Sequence, residues 1–130
     1  MVLNTMNLII EGVHFTVIRL EPYERKLKEY RRLEPRLDAA VETALRDELC
    51  GGQIAEIPGA GGWSKARIPS PSRNIGKSGG FRLIFLFLRV AGHVFIYTVY
   101  DHRSKSDLTP SERSELNVLA GKIKKSLGSR

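Results

Sequence analysis

The sequence predicts an α+β domain with its elements in the order β-α-α-β-β-β-α, a mostly antiparallel sheet packed against helices. Three observations carry that reading. Apolar residues recur at helical spacing between Pro22 and Leu49, short β-rich runs fill residues 63–68, 81–89 and 93–100, and a capped helix closes the chain. The chain has 130 residues and is 42% hydrophobic, enough for one core, and it contains no internal repeat.

His14 to Leu20 reads as the first strand, and Met1 to Val13 as an extra N-terminal or disordered segment within a single domain of residues 1–130. Asn4 to Asn7 in particular reads as a poorly ordered start. Pro22 opens a helix, with Tyr23, Leu27 and Tyr30 forming one apolar stripe. Pro35 starts a second helix, carried by Leu37, Val41, Ala44, Leu45 and Leu49 and stopped by Gly51-Gly52. Pro58 to Gly62 is a turn-rich connector, Trp63 to Ile68 a short strand, and Pro69 to Gly80 a mobile loop. Phe81–Arg89 and His93–Tyr100 pair as a hairpin whose strands are apolar on both faces, as central strands of a covered sheet are. Between them Arg89-Val90-Ala91-Gly92 breaks the apolar run. Thr109-Pro110-Ser111-Glu112 is a capping box, and the helix it opens buries Leu116, Leu119, Ala120, Ile123 and Leu127.

The net charge of +7 is unevenly placed: residues 1–62 carry −2, residues 63–105 carry +7 and the remainder +2. A concentrated basic face is the electrostatic footprint of a nucleic-acid binder. Lys65 and Arg67, at i and i+2 of a strand, point to one sheet face. No segment reads as transmembrane, and Met1 to Val13 lacks the basic start and small-residue cleavage site of a secretory leader. The single Cys50 allows no internal disulfide and fits a reducing cytoplasm, with a structural rather than catalytic role.

Several motifs fail. Gly76-Lys77-Ser78 lacks the earlier glycine of a phosphate-binding loop, since Pro71 stands there, and a strand rather than a helix follows. Gly59 to Gly62 has neither the strand before it nor the helix after it that a dinucleotide fingerprint needs. His14, His93 and His102 are too scattered to argue for a metal, and no Ser-His-Asp order is readable.

One combination of motifs does match a family. Pro58-Gly59-x-Gly61-Gly62-x-x-Lys65-x-Arg67, then Gly76-Lys77-Ser78-Gly79-Gly80-Phe81-Arg82, then Tyr100-x-x-x-x-Lys105-x-Asp107-Leu108-Thr109 resembles the RelE/HigB-type toxins of the RelE/ParE superfamily, over roughly residues 14–127. These are the toxin halves of bacterial type II toxin–antitoxin pairs. The resemblance implies a cytoplasmic, metal- and cofactor-free endoribonuclease that cuts mRNA, in the ribosomal A site, by 2′-OH attack to a 2′,3′-cyclic phosphate. It implies as partners the mRNA, the ribosome and a small cognate antitoxin with an acidic or amphipathic segment, and no membrane. The family pattern Tyr-x-Lys-x-x-Lys-x-Asp is altered here, with His102 at the first lysine.

On that resemblance Arg82 is the expected phosphate stabiliser, because its planar fork contacts two oxygens. Lys65 and Lys77 add charge. His102 is the acid/base candidate, since a histidine titrates near working pH. Tyr100 stacks on a base or assists proton transfer. Arg67, Arg73, Arg103 and Lys105 are the expected RNA contacts. Tyr97, three residues before Tyr100, should lie on the opposite strand face as core, and Trp63 should be a packing residue. Two alternatives stand beside this reading. One is a ParE-like DNA gyrase inhibitor or plain nucleic-acid-binding domain, which needs no acid/base residue. The other is a degenerate toxin kept as an antitoxin binder.

Overall fold

The computed structural model describes residues 4–51, 54–89 and 91–127. The readings placed on Met1–Leu3, Gly52 and Val90 lie outside the described residues. In chain order the elements are β1 (Asn4–Ile10), β2 (Val13–Arg19), α1 (Glu21–Glu29), α2 (Leu37–Gly51), β3 (Trp63–Ile68), β4 (Phe81–Leu88), β5 (His93–Asp101) and α3 (Pro110–Ser126), with a 3-10 turn at Pro71–Arg73. They form one five-stranded sheet, β1-β2-β5-β4-β3. Only β2 and β5 run parallel; the other neighbours are antiparallel.

Strand β4 is buried from Phe81 to Leu86, so both faces of the sheet centre need cover. On one face α1 and α2 supply Tyr23, Leu37, Val41 and Leu45 against Leu83, Phe85, Val17 and Val99. On the other α3 lays Leu116 and Ala120 on Trp63, Ile84, Leu86 and Phe95. Trp63 is fully buried and its indole Nε1–H donates to the Leu116 carbonyl at 2.8 Å, which fixes α3 against β3. The capping box forms as expected: Thr109 Oγ1 accepts from Glu112 N, and the Glu112 carboxylate accepts from Thr109 N. Leu127, expected in this core, is 41% exposed instead, because it lies one residue past the helix.

The expected element order is corrected at its start. Asn4–Ile10 is a strand, not a disordered segment. It pairs residue for residue with β2 through a two-residue turn in which Glu11 and Gly12 both take positive φ, 51° and 79°. Such a turn matches the natural twist of a hairpin. Met6, Leu8 and Ile10 alternate inward onto the α2 face of the core.

The Pro69–Gly80 connection is not a slack loop either. Glu34, in the link between α1 and α2, is 1% exposed. Its carboxylate accepts from Ser70 Oγ (2.8 Å), Ser72 N (2.8 Å), Ser72 Oγ (2.7 Å) and Arg36 N (3.2 Å). Burial alone would push this carboxyl up, but the hydrogen bonds outweigh it and hold it below its ordinary value. Replacing Glu34 with Ala strands the buried Ser70 hydroxyl and takes the acceptor from the part-buried Ser72 N–H. The expected loss is about 2–3 kcal/mol of unfolding free energy at neutral pH, read by urea denaturation. The gap between wild type and Glu34→Ala is full above the ordinary value of 4.5 and closes as pH falls through the lowered folded value.

Candidate functional site

Cross-strand register assembles the basic residues that the sequence scatters. Arg67 of β3 lies opposite Arg82 of β4, and Arg82 lies opposite Tyr100 of β5. The three form one row on the α3 side of the sheet, with Lys65 two positions along from Arg67. Like charges directly opposed on a sheet destabilise it. Burial, and then the Arg67 guanidinium, lower the pKa of Arg82.

Arg82 is only 6% exposed. Its Nη1 donates to the carbonyls of Lys77 (3.1 Å) and Phe81 (3.2 Å), and its Nη2 to that of Ser78 (2.8 Å). The turn 77–80 therefore folds back over the guanidinium, and the fork expected to face a phosphate is half engaged in holding its own loop. The remaining donors are the Nε–H and one Nη2–H. A Cβ on Gly80 would collide with the backbone carbonyl of Ile68, so glycine there is a requirement of space.

Tyr100 is 3% exposed, and its hydroxyl has no hydrogen-bond partner among the described residues. Burial and the nearby Asp107 carboxylate push the phenol up to about 12, which keeps it protonated through the physiological range. Asp107 organises the rim: its carboxylate accepts from Leu108 N (2.7 Å), Lys65 Nζ (3.3 Å) and Arg113 Nη2 (3.2 Å). Those interactions, led by the Leu108 N–H, lower its pKa. Lys105 Nζ sits between both oxygens of Glu112 at 2.8 and 3.0 Å.

His102 is the first residue past β5, its N–H on the Gly80 carbonyl (2.9 Å) and its Nδ1 buried without a partner. The guanidinium of Arg103 and that of Arg67 are exposed, with no hydrogen bond or ion pair from either among the described residues. Lys77 is exposed on the clasped turn, and its charge acts on Glu48 of α2.

Two expectations need correction. Arg73 does not present its fork to a ligand. It is held by Asp101 at 3.0 and 3.3 Å, by Ser70 Oγ at 2.8 Å and by the Phe81 ring 4.9 Å away. Asp101 is thereby committed to Arg73 and to Arg103 N (3.3 Å). Tyr97 shares the α3-side cluster with Tyr100, its ring 5.7 Å from that of Trp63. The cause is an irregularity at Ile84/Phe85, where Ile84 pairs with Thr98 but Phe85 with Ile96, leaving Tyr97 as the extra residue.

The sequence reading missed the carboxylates that answer these cations. Asp107 stood in the quoted motif and Glu112 in the capping box, so each had a signal, but for a different role. Arg113 and Glu34 had none. No protein-family model matches the chain.

Gly80→Ala should destabilise the fold by about 3 kcal/mol or more, because backbone rather than a pliable side chain must move; thermal unfolding measures it. Tyr100→Phe should leave stability unchanged or raise it by about 1 kcal/mol, since it removes a buried hydroxyl that has no partner.

Proposed function

We propose that this chain is an endoribonuclease toxin of the RelE/HigB type that cleaves mRNA without a metal and so inhibits translation. The observation that carries the reading is the Arg67–Arg82–Tyr100 row: two opposed cations beside a buried, protonated, unpartnered phenol. An anion between the two guanidinia relieves their repulsion, and a phosphodiester is such an anion. No helix among the described residues is long and apolar enough to cross a membrane.

In the reaction the 2′-oxygen loses its proton to a base and attacks the adjacent phosphorus. The P–O5′ bond breaks, and the departing 5′-oxygen takes a proton from an acid. Tyr100 suits the acid, because a phenol raised to about 12 holds its proton at neutral pH and gives it up to a more basic alkoxide. His102 is the base the resemblance offers, acting through the imidazole nitrogen other than the buried Nδ1. Arg67 and the free donors of Arg82 face the charge that develops on phosphorus. Lys65 and Arg103 flank the RNA, and Lys105 joins them when RNA displaces Glu112.

The second reading is a non-enzymatic basic face of the ParE-like or antitoxin-binding kind. What favours it is that Lys65, Lys105 and Arg113 are already neutralised by Asp107 and Glu112.

Mapping mRNA 5′ ends after brief induction in bacteria separates the two. Wild type should give discrete cuts, in frame on translated messages and unaffected in vitro by a chelator. Tyr100→Phe, which keeps the fold, should cut about 100-fold more slowly, and Arg67→Ala about 100- to 1000-fold more slowly. Intact mRNA with growth still arrested would transfer the conclusion to the second reading.

A further inference from the structure

The sheet has two outer edges, and they are treated differently. Beyond β3 the connector lies alongside as a partial strand: Lys65 N donates to the Ala55 carbonyl (3.0 Å), Ile57 N donates to the Trp63 carbonyl (2.9 Å), and Glu56 bridges Ser64. Beyond β1 no strand lies among the described residues.

Natural edge strands carry charges, prolines or bulges that block further pairing. Asn4–Ile10 has no charged residue and no proline, and its ladder with β2 runs unbroken from Asn4↔Arg19 to Ile10↔Val13. The two-residue turn makes Ile10↔Val13 the hydrogen-bonded closing pair, so bonding alternates and Thr5, Asn7 and Ile9 turn their N–H and C=O groups outward. The position of Arg46 agrees, since its Nη1 donates to the Ile9 carbonyl at 3.2 Å from the α2 side. Among the described residues the other outward groups of Thr5, Asn7 and Ile9 have no backbone partner, and Ile9 is 62% exposed.

We propose that β1 is a dimerisation edge, pairing antiparallel with β1 of a second copy about a two-fold axis at Asn7. The net charge of +7 opposes self-association in general, but the basic residues behind it concentrate in 63–105, away from this uncharged strand, so a second copy meets less repulsion here than at the basic half. An acidic partner is drawn to that basic half instead. The strand is also self-complementary. Asn7 meets the partner's Asn7 as a hydrogen-bonded pair of outward-facing residues. Met6 meets the partner's Leu8 on the helix-covered face and extends the apolar layer, and Thr5 meets the partner's Ile9 on the open face. The result is an isologous interface that joins two five-stranded sheets into one. The inference rests on the fold alone and is independent of the ribonuclease reading.

Sedimentation equilibrium of the full chain at tens of micromolar tests it, with circular dichroism as the folding control. Wild type should sediment at twice the 14.6 kDa of one chain. Asn7→Pro removes an outward N–H that the monomer does not use, so the fold survives and the dimer dissociation constant should rise on the order of tenfold or more. Thr5→Lys/Ile9→Lys opposes like charges across the axis and should give monomer. Thr5→Lys/Ile9→Glu opposes unlike charges in the same register and should restore the dimer. A monomeric wild type, a dimer indifferent to Asn7→Pro, or a failure of the mixed-charge variant to restore pairing would each overturn the proposal.

Discussion

A guanidinium buried at the start of a doubly covered strand is the constraint around which the basic half of the molecule is arranged. Arg82 follows Phe81 in a strand whose next residues are apolar on both faces. Its charge cannot stay there without hydrogen bonds. The turn 77–80 supplies two by folding the Lys77 and Ser78 carbonyls onto it, the Phe81 carbonyl adds a third, and the turn can close only because Gly80 has no Cβ to strike the Ile68 carbonyl. The same burial brings Arg82 into line with Arg67 and Tyr100. The row is therefore a consequence of register and needs no loop to find the right conformation.

A second network ties the opposite layer to this end of the sheet. Glu34 holds Ser70 and Ser72, Ser70 accepts from Arg73, Arg73 grips Asp101, and the Asp101 N–H donates to the Tyr30 hydroxyl at 3.1 Å. Asp101 in turn accepts from the backbone of Arg103, while its carbonyl accepts from the N–H groups of Ser104 and Lys105. A carboxylate between two helices thus fixes the turn that carries His102, Arg103 and Lys105. The positive charge of residues 63–105 is accordingly less open than its sum suggests. Arg73, Lys65 and Lys105 each rest on a carboxylate, whereas Arg67, Lys77 and Arg103 are exposed, with no carboxylate paired to them among the described residues.

Elements whose cause is local were legible in the sequence. Trp63–Ile68, the β4–β5 hairpin and the capped α3 rest on alternation, β-propensity and a four-residue cap, and they occur where the pattern puts them. Strand β1 is not legible although Met6, Leu8 and Ile10 alternate and Gly12 marks the turn, because Asn4 and Asn7 make the segment read as a frayed start. The Tyr97 face was lost because one extra residue in a ladder inverts the alternation beyond it, and nothing in Ile96-Tyr97-Thr98 announces that residue. Site residue types were legible, but their partners were not: Lys65 and Asp107 are 42 positions apart, and Arg73 and Asp101 are 28. Such pairs follow from the fold rather than from any local pattern.

The parallel pairing of β2 with β5 gives the molecule a fixed order of completion. Val17 lies beside Val94, so the sheet cannot close until about 80 further residues have been made. At ordinary synthesis rates that interval is roughly 4–15 s. Through it the β1–β2 hairpin has no neighbour on its β5 side, and Tyr100 does not yet exist to complete the row with Arg67 and Arg82. The row is thus absent for most of the chain's own synthesis, and the last strand to emerge both closes the sheet and completes it.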